Sequence, residues 1–128
     1  GKLVGIVREL REKHPSIFDP ILEASERIVC EAVKALESGD LETLGELMNI
    51  DQGLLSAVGA SNDALERLIY AARKAGAYGA KLTGAGGGGC IVALTPPDRV
   101  EGLVRAIKDA GGLAFAARKA EEGVRIEI

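Results

Sequence analysis

The residue types best suited to chemistry crowd into one stretch, Lys81-Leu82-Thr83-Gly84-Ala85-Gly86-Gly87-Gly88-Gly89-Cys90. From Thr83 to Gly89 the backbone N–H groups have almost no side chains in front of them, so they can turn toward one point and cradle an anion such as a phosphate. Glycine costs roughly 0.5–1 kcal/mol relative to alanine in a regular element. The consecutive glycines Gly86 to Gly89 therefore call for a backbone reason: positive φ angles, or the close approach of a phosphate or another backbone. A hairpin connection needs only one or two glycines. Composition alone leaves phosphate contact and a tight turn equally open. Neither standard phosphate fingerprint matches, because one needs Gly-Lys followed by Ser or Thr and the other needs a helix directly after its glycines. Here the β-branched run Ile91-Val92 follows.

Other polar residues are weaker candidates. Lys81 can offset phosphate charge, or period-two alternation can point it into solvent. Thr83, at the junction of strand and loop, can offer its hydroxyl to a ligand or hold the turn. Asn49, Asp51 and Gln52 interrupt an apolar helical pattern, as ligand-facing groups or as a polar helix end. His14 precedes Pro15 without a partner at triad or metal spacing and reads as a surface residue. Cys30 and Cys90 have no further Cys or His at metal-ligand spacing, which argues against zinc; both read as small core residues in a reducing cytoplasm. Arg73-Lys74 reads as solvated surface.

These residues need a scaffold to position them, and the chain has the length for one domain: 128 residues, 47% of them hydrophobic. Aromatic residues make up 3% and the net charge is −3, which supplies neither stacking platforms nor a basic footprint for nucleic acid. No apolar run reaches the roughly 20 residues that span a bilayer, so no membrane partner is expected. Helical spacing predicts a helix from Lys2 to Lys13, a second opened by Asp19-Pro20 and closed by Gly39, and a third capped by Asp40. The later half of the third, near Asn49, Asp51 and Gly53, is expected to be partly loop. Ser61 is expected to cap a fourth helix that ends before Gly76. Tyr78 to Thr83 and Cys90 to Leu94 read as strands bracketing the glycines. Pro96-Pro97 opens another helix before strands at Leu113 to Arg118 and Val124 to Ile128. The pattern predicts an α+β fold, helices packed on one face of a mainly antiparallel sheet, as in a ferredoxin-like sandwich that lacks its first strand.

The segment Gly79 to Cys90 closely resembles the third conserved motif of the mevalonate kinases, a branch of the family that also holds galactokinase, homoserine kinase and phosphomevalonate kinase. The likeness extends upstream through Glu46-Leu47-Met48-Asn49, Gln52-Gly53-Leu54-Leu55 and Ala71 to Ala77, and covers roughly Asp19 to Leu94. Galactokinases typically place a phenylalanine among these glycines, and phosphomevalonate kinases an acidic residue just before the cysteine. Gly87, Gly88 and Gly89 match neither. Asp51 stands where many relatives carry asparagine, so no ligand role is carried over to it.

The resemblance implies a single C-terminal kinase domain over 1–128 in which Thr83, Gly84, Ala85, Gly86, Gly87, Gly88 and Gly89 border the phosphates of ATP. It further implies magnesium and mevalonate as the small-molecule substrate; the cysteine usage reads as cytoplasmic, and a homodimer is left open. Alternatives are a related kinase of the same family and a non-catalytic binding or regulatory domain. In the family, the nucleotide-binding loop, catalytic aspartate and magnesium ligands belong to an N-terminal domain that nothing here matches. The chain alone is thus expected to be inactive.

Overall fold

The computed structural model describes residues 2–83, 89–119 and 123–127, with side chains over 5–83 and 89–116. Helix α1 (Lys2–Lys13) meets α2 (Pro15–Ser38) at His14, which leaves helical geometry at φ −133° and ψ 58°. Proline disfavours helical geometry in the residue before it and fits the first helical position, where its missing N–H has no partner to lose. The second helix therefore starts at Pro15, earlier than Asp19-Pro20. Pro20 lies inside α2, and the bond it omits would have ended on the carbonyl of Ser16, an exposed residue whose carbonyl water can serve.

Gly39 ends α2 in the left-handed region at φ 72°. Asp40 then caps α3 (Leu41–Ala57), accepting from the Thr43 backbone N–H at 3.1 Å and from its hydroxyl at 2.7 Å. Helix α3 is continuous, contrary to the expected loop in its later half, because its polar residues are taken up by tertiary hydrogen bonds. The cap of α4 (Asp63–Lys74) is Asn62 rather than Ser61; its side chain accepts from Leu65 N–H at 2.9 Å.

Strands β1 (Gly79–Thr83), β2 (Cys90–Thr95), β3 (Phe115–Lys119) and β4 (Gly123–Glu127) form one antiparallel sheet in the order β1-β2-β4-β3. A 3-10 turn at Pro97–Arg99 and α5 (Val100–Asp109) carry the chain from β2 across to β3. β2 is paired on both sides.

The core forms where α4 and α5 cover one face of the sheet. Alternation along β1 and β2 sends Ala80, Leu82, Ile91 and Ala93 to that face, against Leu65, Leu68, Ile69 and Ala72 of α4 and Leu103 and Ile107 of α5. The other helices build outward from the sheet's side: α3 lies against β1, α2 against α3, and α1 against α2. At the first of these contacts two backbones touch, since a Cβ at Gly79 would run into the Gly45 carbonyl and one at Gly45 into Tyr78.

Candidate functional site

The β1–β2 hairpin presents the glycine segment at one end of the sheet, where Thr83 pairs with Cys90 in the final rung. Of the expected phosphate cradle, Gly84, Ala85, Gly86, Gly87 and Gly88 lie outside the described residues. The two flanking members are described. Thr83 is exposed, and Gly89 adopts φ 82° near Leu65 in the first turn of α4. That left-handed angle favours glycine, so at this position the backbone demand inferred from sequence is real.

Lys81 neither faces open solvent nor stands as a free cation. It lies on the sheet face opposite the core, across from Val92, and its ammonium pairs with the Asp51 carboxylate at 2.5 Å, both side chains being largely covered. Ser25 of α2 donates to the same carboxylate at 3.4 Å. The pair closes one end of a cleft of about 250 Å³ between α2 and α3, otherwise lined by apolar side chains such as Val29, Leu47 and Met48.

Asn49 and Gln52 are neither a frayed helix end nor open to a ligand. Asn49 Oδ1 accepts from Ala80 N–H at 3.0 Å and from Arg73 Nε at 2.9 Å. Gln52 is 2% exposed; its Oε1 accepts from Leu82 N–H at 2.7 Å, and its Nε2 donates to Ser61 Oγ at 3.1 Å and Glu66 Oε1 at 3.2 Å. Arg73 is consequently half-buried and tied to this network, with its guanidinium also over the Tyr70 ring, and it is not the solvated residue expected. A polar triplet on an otherwise apolar helix was the one sequence signal for these contacts, and it did not name the partner strand.

Both cysteines correct the expectation of core residues, because Cys30 and Cys90 are exposed. Cys90 directly precedes Ile91, which is in the core, so the pleat sends it to the other face. His14 is exposed, as read. Among the described residues no group of three or more His, Cys, Asp or Glu side chains is placed to hold a metal ion.

Comparison with known proteins is consistent with this geometry. Residues 32–113 match the family model described as GHMP kinases C terminal. The chain is 50% identical over 98% of its length to the mevalonate kinase of Pyrococcus horikoshii, and 49% identical over 94% of its length to that of Aeropyrum pernix. It spans 39% of the length of each of these curated relatives. Among solved structures it is similar to L. major mevalonate kinase in complex with R-mevalonate, at 29% identity and a TM-score of 0.80 over 99% of this chain and 37% of that one. A Listeria innocua protein, Lin0012, shares the fold at 22% identity and a TM-score of 0.79 over 87% of this chain and 33% of its own. The chain belongs to the GHMP kinases, and it is their C-terminal domain.

Proposed function

We propose that this chain is the C-terminal domain of a mevalonate kinase, an enzyme that moves the γ-phosphoryl group of ATP to the C5 hydroxyl of mevalonate. In this reading Thr83, Gly84, Ala85, Gly86, Gly87, Gly88 and Gly89 border the triphosphate. The observation that supports it most is the near-50% identity to mevalonate kinases across almost the whole chain. The hairpin supports it: adjacent antiparallel strands hold both ends of the segment, and the left-handed Gly89 lets the backbone turn without a side chain in the way.

Phosphoryl transfer depends on positioning and charge stabilisation more than on covalent chemistry by the protein. ATP would supply the phosphoryl group, and magnesium, when bound, would offset its charge; the described residues hold no cluster placed to ligate it. In this reading what these residues contribute is uncharged backbone N–H groups for the phosphates, with the exposed Thr83 at the end of β1 beside them. The base acting on the substrate hydroxyl and the main nucleotide-binding loop belong to the part of the longer protein that precedes this domain.

The loop assignment is tested in the full-length enzyme with Gly87→Val. Its expected effect is a KM for ATP raised by about tenfold or more, with the melting temperature unchanged. A lower melting temperature with unaltered ATP kinetics would make the segment a turn and nothing more.

A further inference from the structure

We propose that Asn49 and Gln52 are positioning residues for the glycine segment, acting as a side-chain rail on α3 that sets where β1 delivers Thr83. The proposal rests on the reading of that segment as the wall beside the nucleotide phosphates.

Strand β1 is bonded to β2 along its inner side. An edge strand in this position exposes alternate N–H groups that would otherwise meet water or a further strand. Here the outward N–H groups of Ala80 and Leu82 are instead received by Asn49 Oδ1 at 3.0 Å and Gln52 Oε1 at 2.7 Å. Two residues of strand advance about 6.6 Å, whereas three residues of helix advance about 4.5 Å. The extra methylene of glutamine over asparagine helps span the difference, so the two amides are not interchangeable. Between them Asp51 holds Lys81. Three successive strand residues, Ala80, Lys81 and Leu82, are therefore gripped from one helix immediately before the strand enters the glycines.

The rail is itself held in one orientation. Arg73 donates to Asn49 Oδ1 from α4, and its guanidinium also reaches the Ala80 carbonyl at 3.4 Å. Ser61 and Glu66, at the start of α4, receive the Gln52 amide N–H groups at 3.1 and 3.2 Å. The backbone contact of Gly45 with Tyr78 and Gly79 brings the helix close enough for such short side chains to reach. Asn49 is half-buried and Gln52 buried, and removing either amide alone would leave the strand N–H it accepts from without its partner, at the desolvation cost of an unpaired donor. What the two amides add beyond that is placement: they set the height of β1 along α3, and a slip of one residue would turn Lys81 into the core.

The test uses the full-length enzyme, with kinetics measured well below the melting temperature of every variant and amide exchange read over residues 79–90. Asn49→Leu removes both acceptor contacts, while Asn49→Asp keeps an oxygen for Ala80 N–H and for Arg73. Asn49→Leu is expected to raise KM for ATP by about tenfold, to leave kcat and KM for the alcohol within about threefold, and to speed exchange at Ala80, Leu82 and Thr83. Asn49→Asp is expected to restore all of these. If Asn49→Leu does not fold, Gln52→Asn, which keeps the amide but shortens its reach, is expected to show the same rise in KM for ATP. The proposal is overturned if the folded variants keep wild-type KM for ATP, or if Asn49→Leu and Asn49→Asp behave alike. Absence of ATP turnover in the wild-type enzyme would sink the functional reading instead. In that case the exchange data still decide the rail, since unchanged protection in Asn49→Leu refutes it.

Discussion

Asp40 shows how one side chain ties helix stability to pH. The hydroxyl of Thr43, and after it the Thr43 backbone N–H, hold the Asp40 carboxyl below its ordinary value of 3.8. A carboxyl depressed in the folded state adds stability that is fully present above the unfolded value and is lost as pH falls through the folded one. Asp40→Asn is thus expected to melt below wild type at neutral pH, and the gap is expected to close as pH drops below 3.8. A gap that stays constant down to acid pH would mean that the charge of the cap is irrelevant. Lys81 and Asp51 form the most covered ion pair among the described residues, with side chains 27% and 14% exposed. A double-mutant cycle of Lys81→Met and Asp51→Asn is expected to give a coupling energy of about 1 kcal/mol in denaturant unfolding, and additive effects would show the pair to be incidental.

At the scale of elements the decisive contact is α3 against β1. Gly45→Ala and Gly79→Ala each place a Cβ inside another backbone, and each is expected to lower stability by at least about 2 kcal/mol. Gly53→Ala, in the same helix with open space around it, is expected to raise stability by about 0.5–1 kcal/mol. Equal effects of Gly45→Ala and Gly53→Ala would show that helix propensity, not the α3–β1 approach, governs this region. The same contact marks how far the sequence could be read. Local signals marked the helix boundary at Gly39 and Asp40, whereas Asp19-Pro20 did not open the second helix, which starts at Pro15. The strands were legible from their apolar runs and flanking glycines. Continuity of α3 was not, because Asn49, Asp51 and Gly53 weaken a helix on local propensity, and the partners that take up Asn49 and Asp51, Ala80 N–H and the Lys81 ammonium, lie about thirty residues further on. Ser61 was misread as a cap for a related reason: its hydroxyl serves Gln52, and the neighbouring Asn62 has the geometry to close α4. Cys90 was misplaced because an apolar run carries no parity, and only pairing with β1 shows which face each residue takes.

For the whole molecule, the family was legible because the wording from Gly79 to Cys90 is distinctive, and the family match over residues 32–113 agrees with it. The substrate was less so, since the chain covers 39% of relatives such as the Pyrococcus horikoshii enzyme, and the described residues hold no metal-ligating cluster. Purified by itself, the chain is expected to show no mevalonate-dependent ATP turnover in a coupled assay; measurable turnover would mean that the catalytic groups lie within these 128 residues. The most direct test of the central claim is a comparison of kcat/KM for R-mevalonate, phosphomevalonate, homoserine and galactose using the full-length enzyme with ATP and magnesium. R-mevalonate is expected to be preferred by at least about a hundredfold, whereas a preference for any of the other three, or no turnover of R-mevalonate, would contradict the mevalonate kinase reading.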